Sequence, residues 1–274
     1  IECSAMATKY LGSYFDIHGG GMDLMFPHHE SEIAQSTICN NHTPAKYWMH
    51  NNMITINGKK MGKSYNNVIK LTELFSGDHP LLTQAFSPMT VRFFILQTHY
   101  RSTLDFSSEA LEASEKGLRR LWDAFELLKK INVSTAQEAT DIELDKKINR
   151  LISELDVFLN DDFNTAKVLA NLFEIVPIIN SMNDGHINPE AISAATHTLM
   201  AETFSLYLVE ILGLKNEREM DAQFTGVMDL LTEIRKDAKS NKDFFTSDKI
   251  RNQLSALGIE MKDEKDGKIS WNIK

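Results

Sequence analysis

Cys3, His28 and Glu32 suit a single chemical task. A thiolate, an imidazole and a carboxylate are all zinc donors, and a site with few protein ligands leaves a position open for substrate. His28 and Glu32 stand four apart on a predicted helix, so both side chains leave one face a turn apart and can grip one ion. A buried free cysteine beside a helix-surface His–Glu pair has the same spacing, and His29 and Glu30 adjoin the pair. Gly19-Gly20-Gly21 with Asp23 forms a second group. Successive glycines let a backbone approach a ligand, and a carboxylate two residues on can hold a ribose hydroxyl. A tight strand-to-helix connection with a solvated aspartate uses the same residues. The third group is Lys60-Met61-Gly62-Lys63-Ser64, after Gly58-Lys59. Two lysines three apart on a glycine-bearing loop can swing over a triphosphate and neutralise charge on a leaving pyrophosphate; a merely solvated loop has this composition too.

The elements that must position these residues change character along the chain. Tyr14 to His18 reads as a short strand broken by Gly19-Gly20-Gly21, followed by a helix starting after Pro27 and running from His28 to about Asn40. Met53 to Ile56 reads as a strand leading through the turn Asn57-Gly58 to the lysine loop. Residues 1–70 thus alternate strand and helix with too few strands for a complete sheet, and the opening Ile1-Glu2-Cys3 reads as the middle of an element. An unpaired sheet edge there predicts self-association. Beyond about residue 71, apolar residues fall at helical spacing in four stretches: Leu111 to Leu128, Ile148 to Phe158, Val168 to Val176 and Ala191 to Leu212. Their polar breaks predict an antiparallel bundle. After Gly213-Leu214-Lys215, helices over about 221–240 and 244–257 precede a hairpin signal, with Gly258 to Met261 and Ile269 to Trp271 flanking Asp266-Gly267.

A chain of 274 residues with 42% hydrophobic and 24% charged content is globular in composition and long enough for a real core. Two cysteines cannot build a disulfide framework, and no apolar run is long enough to span a bilayer. The expectation is a cytoplasmic protein with no membrane partner. A net charge of −9 argues against a general nucleic-acid coat protein and leaves room for local basic patches.

Taken together, Ile1 to Met6, Phe15 to Gly21, Phe26-Pro27-His28-His29-Glu30-Ser31-Glu32 and Lys60 to Ser64, in that order and at that spacing, resemble cysteinyl-tRNA synthetases. The resemblance continues through Val91 to Phe94, His99-Tyr100-Arg101-Ser102, Asp161 to Ala166, Ser247 to Arg251 and Gly258-Ile259, so it covers essentially the whole chain. It implies a class I aminoacyl-tRNA ligase that activates cysteine with ATP, taken with Mg2+, and transfers it to tRNA-Cys. The implied fold is mainly α with a partial α/β part. Residues 1–70 would be the C-terminal half of a Rossmann-like nucleotide-binding domain, 71–110 a stem-contact region, 111–215 a helical bundle and 216–274 a small α+β anticodon-binding domain. The missing N-terminal half of the same enzyme would be a partner.

By the same resemblance Cys3, His28 and Glu32 are zinc ligands, a further cysteine comes from the N-terminal half, and the substrate thiolate binds the same ion. His18 is similar to a substrate-pocket residue. Lys60 and Lys63 fall on the signature loop that stabilises adenylate formation, and Asp23 matches the ribose side of a nucleotide pocket built with Gly20, Gly21 and Lys63. Gly62 stands where a serine is usual, Tyr65-Asn66 where Leu-Gly is usual, and Ala166 where a proline is common. The family's H-I-G-H phosphate signature and the cysteine that completes the zinc set as its fourth ligand are absent from this sequence, so the chain alone is expected to be inactive and to hold zinc weakly.

For tRNA, the last domain offers Arg235, Lys236, Lys239, Lys242, Lys249 and Arg251 against Asp237, Asp243 and Asp248. Trp271 can stack on an unpaired base or belong to the core. Arg92 and Arg101 suit acceptor-side backbone contacts or internal salt bridges. Two rival functions share these motifs: a ligase passing cysteine to an amino sugar, and a non-catalytic RNA- or zinc-binding module.

Overall fold

The computed structural model describes residues 1–134, 136–263 and 269–273. The fold is mainly α with a small α/β part, in two compact units, Ile1–Lys215 and Asn216–Lys274. No helix among the described residues is long and apolar enough to cross a membrane.

The first unit opens with α1 (Glu2–Leu11) and β1 (Phe15–Gly21). A turn with Phe26 in extended conformation leads into α2 (Glu30–Asn40), and β2 (Ala45–Asn51) returns parallel to β1. This is a strand–helix–strand crossover, which parallel pairing requires. The glycines do not break the strand as the sequence suggested. They extend it, because Gly19, Gly20 and Gly21 pair with Met49, His50 and Asn51. Sequence reading also missed α1 and β2. Ser4 Oγ donates to Gln35 at 3.0 Å, so α1 lies against α2, leaving a groove lined by Ile1, Ala5, Thr8, Ile38 and Cys39.

β3 (Ile54–Ile56) turns through Asn57 and Gly58, both at positive φ, into β4 (Lys59–Lys60). Two positive-φ residues make the turn whose twist fits a tight hairpin. After α3 (Leu71–Ser76) and α4 (Pro88–Leu96), β5 (Leu104–Phe106) pairs parallel to β3. α4 begins as its sequence dictates, with Ser87 Oγ accepting the Thr90 N–H at 3.1 Å and Pro88 in the first turn. Ile56, Leu74, Phe86, Val91, Phe94, Phe106 and Leu111 close a core around this sheet.

The bundle follows: α5 (Ser108–Leu128), α6 (Ile142–Asn160), α7 (Thr165–Asn183) and α8 (Ala194–Phe204), which continues into a π-helical stretch, Ser205–Ile211. Ser107, Asp141, Asn164 and Ser193 cap the four N-termini with their side-chain oxygens. The apolar stripes expected from spacing are the buried faces; Leu121, Leu128, Ile148, Leu155, Leu172 and Leu208 are sealed from solvent. Across the bundle, Tyr207 Oη donates to Asp156 Oδ1 at 2.5 Å.

The second unit is α9 (Glu217–Ser240), α10 (Phe244–Ala256) and an antiparallel pair, β6 (Ile259–Asp263) and β7 (Ile269–Ile273), around Met228, Leu254 and Ile259. The turn predicted at Asp266-Gly267 lies outside the described residues.

Candidate active site

The β1–β2 pair gathers imidazoles at one end. His18 on β1 faces its register partner Trp48 on β2, the rings stacked 4.3 Å apart and inclined by 18°. His29, buried at the entrance to α2, packs on both, with ring centroids 4.9 Å from His18 and 5.1 Å from Trp48. Its Nδ1 lies 2.8 Å from Nε2 of buried His50, so one ring donates and the other accepts. Burial, then neighbouring charge, lowers the pKa of both: His18 acts next on His29, and His29 on His50. The close approach needs Gly20, since a Cβ there would stand 2.6 Å from His29 Cε1.

Glu32, on the first turn of α2, brings Oε2 to 3.5 Å from His18 Nε2. Among the described residues, His18, His29 and Glu32 form the one group of three or more His, Cys, Asp or Glu whose ligand atoms all lie within 4.8 Å. That donor chemistry suits zinc. Of the set expected from sequence only Glu32 belongs to this group; Cys3 and His28 are both exposed. Asp23 is exposed and folds back over Gly21.

Lys60 ends β4, and Lys63 stands on a 3-10 turn, Lys63–Tyr65; both lysines are exposed. Two side chains that sequence reading passed over hold this region. Asp105 on β5 accepts from Thr55 Oγ1 at 2.6 Å and from the Gly58 N–H at 2.7 Å. Asn67 accepts from the Gly62 N–H at 2.9 Å and donates to the Lys60 carbonyl at 3.1 Å. Asparagine after a glycine-bearing loop was the available signal for the second, whereas Asp105 is distant in sequence and gave none.

The residues considered for tRNA are scattered in role. Arg92 Nε donates to the Leu212 carbonyl at 2.7 Å. Arg101 is bonded to Asp162 through Nε and, at 3.1 Å, through Nη2. Tyr100 Oη donates to the same carboxylate at 2.6 Å, and His99 Nε2 lies 3.7 Å from it. Arg235 requires a correction, because at 1% exposure it lies inside the second unit. Its place on α9 continues the core-facing spacing of Met228 and Leu231. Lys239 is half-buried, and exposed Arg251 lies 3.1 Å from Asp248. Trp271 packs on that unit's core, edge-on to Phe224 at 5.5 Å.

Residues 1–116 match the family of tRNA synthetases class I (C) catalytic domain, and residues 156–214 match the DALR domain. The chain is 53% identical over 99% of its length to the cysteine–tRNA ligase of Bacteroides thetaiotaomicron, 51% over 99% to that of Parabacteroides distasonis, and 42% over its full length to that of Chlorobaculum tepidum. In each case it spans 54% of the relative, about half its length. Among solved structures, a LeuRS from Agrobacterium radiobacter in a ternary complex with tRNA and LeuAMS matches at a TM-score of 0.51 and 16% identity, over 73% of this chain and 28% of that one. That likeness concerns the fold alone. In its two domain matches and in relatives of one kind along its whole length, the chain is similar to cysteine–tRNA ligases.

Proposed function

We propose that the protein this chain represents is a cysteine–tRNA ligase, joining cysteine to tRNA-Cys at the expense of ATP, taken with Mg2+, in the cytoplasm. The observation that carries the reading is the end-to-end match to curated cysteine–tRNA ligases, at 53% identity over 99% of the chain. Residues 1–70 are the second half of its nucleotide-binding domain, 71–110 a stem-contact region, 111–215 the bundle and 216–274 an anticodon-binding module. The stretch by which the relatives exceed this chain supplies the other half of the site.

Zinc, held by Cys3, His28 and Glu32, gives such a site a soft acceptor that prefers the thiolate of cysteine to the hydroxyl of serine. Support comes from α1, the helix that carries Cys3, which lies against α2 through Ser4 and Gln35; the donor atoms gathered around Glu32 are those of His18 and His29, a rival set. His18, stacked on Trp48, lines the substrate side. Gly20 and Gly21 admit the nucleotide closely and Asp23 receives a ribose hydroxyl. Lys60 and Lys63 neutralise the charge that grows on pyrophosphate as it leaves. Arg92, Arg101, Lys239, Arg251 and Trp271 are the tRNA-side candidates; Arg101 would act while paired with Asp162.

An amino-sugar ligase has less support, because the relatives match through the second unit, Asn216–Lys274, as well. The test is cysteine-dependent pyrophosphate exchange by the whole protein, then acceptance of tRNA against an amino sugar. Exchange followed by tRNA charging is expected. Exchange with transfer to the sugar alone would select the rival, and no exchange at all would leave a non-catalytic module.

A further inference from the structure

Asn67 is 9% exposed and uses both ends of its amide on the loop that carries Lys63. Oδ1 accepts the Gly62 N–H at 2.9 Å, and Nδ2 donates to the Lys60 carbonyl at 3.1 Å. These two backbone groups flank Met61, at the neck where the loop leaves β4. Among short side chains the carboxamide offers an acceptor and a donor side by side. Turned over, it would set its NH2 against an N–H and its oxygen against a carbonyl, so one orientation satisfies the neck and the other opposes it.

The lobe beyond the neck is closed on itself. Tyr65 N–H donates to the Gly62 carbonyl at 3.0 Å and Asn66 N–H to the Lys63 carbonyl at 3.1 Å. Asn66 ends the turn in the left-handed region, at φ 50°. Lys63, Ser64, Tyr65 and Asn66 are all exposed. On the inner side, Met61 packs against the core that includes Ile56, Leu74 and Phe86. The loop is therefore a short self-bonded lobe on a pinned neck.

We propose that Asn67 is a positioning residue for the lysine loop. By pinning Lys60 and Gly62 together it makes residues 62–66 move as one body, so that Lys63 reaches the nucleotide phosphates at a fixed offset from Lys60. The chemical half of this statement rests on the function proposed above, whereas the structural half does not.

Two measurements separate them. On this chain, Asn67→Ala is expected to quicken both hydrogen exchange at the Gly62 amide and tryptic cleavage after Lys60 and Lys63 by about tenfold, the equilibrium worth of a lost hydrogen bond. Cleavage within α5 should not change. Asn67→Asp keeps an acceptor for the Gly62 N–H and is expected to restore protection there. A wild-type Gly62 amide that exchanges as fast as an unbonded loop amide overturns the proposal, and this holds even if the alanine variant fails to fold.

In the whole protein, Asn67→Ala is expected to lower kcat for cysteine-dependent pyrophosphate exchange by about tenfold with little change in KM for ATP, the mark of an interaction made in the transition state. An unchanged kcat in a variant whose loop has loosened overturns the proposal. A wild-type protein without any exchange sinks the proposed function instead, while the loop measurements still decide the neck.

Discussion

Arg235 and Arg251 both looked like basic surface in the sequence, yet one is 1% exposed and the other is in water beside Asp248. Periodicity contained the distinction: Met228, Leu231 and Arg235 share one helical face, while charge counting ignores faces. Arg235→Ala should destabilise the second unit by roughly 3 kcal/mol, because it empties a buried position and strands whatever charge faces it. Arg251→Ala should stay within about 0.5 kcal/mol. Hydrogen exchange across α10 measures both, and equal effects would refute the assignment. Glu32 poses the other question at this scale. Sequence and structure agree on it as a candidate ligand and draw different partners around it, because ring packing of His29 against His18, Trp48 and His50 is invisible in spacing. Zinc content of the dialysed whole protein decides: Cys3→Ala and His28→Ala should each lose the metal, whereas loss in His29→Ala with retention in Cys3→Ala would transfer the site to the His18–His29–Glu32 group.

Elements joined across long sequence distances were legible only as strings. His99-Tyr100-Arg101 and Asp161 to Ala166 both carried the resemblance, and the structure shows what joins them: all three side chains of the first meet the Asp162 carboxylate of the second. Asp162 sits at positive φ in the turn between α6 and α7, and Thr165 Oγ1 donates to the Leu96 carbonyl at 2.7 Å, so the corner is tied to the end of α4. Asn52 extends the tie, accepting at its side chain from Met53 N–H and donating from Nδ2 to the Arg101 carbonyl at 2.9 Å. Bonds from Arg101 first, then Tyr100, hold the Asp162 carboxyl at about 2, below its ordinary 3.8. A lowered carboxyl stabilises the fold above the unfolded value and loses that contribution as pH falls from 3.8 towards about 2. Asp162→Asn should therefore be less stable at neutral pH by about 1 kcal/mol, a modest figure for a partly exposed pair. The gap to wild type should close across that acid window in equilibrium unfolding; a gap independent of pH would show that the carboxylate is not its source.

At the scale of the molecule, the helical two-thirds were legible because each bundle helix shows an apolar stripe and a capping residue. The α/β part was legible in part: the strand before the glycines, the helix ending at Asn40 and the strand ending at Ile56 are present, whereas α1 and β2 were missed and the glycines extend β1 instead of ending it. Ile1, Tyr10, Leu11 and Ile38 are 88%, 73%, 61% and 82% exposed, so α1 and α2 present a surface that water does not favour. The chain should associate with rising concentration on a sizing column, and Ile38→Lys should suppress this without loss of helix content. A monomer at every concentration would contradict it. The bundle offers a further consequence through Tyr207, whose phenol is 4% exposed and bonded to Asp156. Burial first, then that bond and the aspartate charge, push its ionisation far above the usual range for tyrosine. Tyr207 is therefore expected to ionise after the protein's exposed tyrosines in an alkaline titration, so the last step in near-ultraviolet absorbance should report on the bundle, an optical tell-tale that the protein carries without any dye; a Tyr207→Phe variant that keeps this step would refute the assignment.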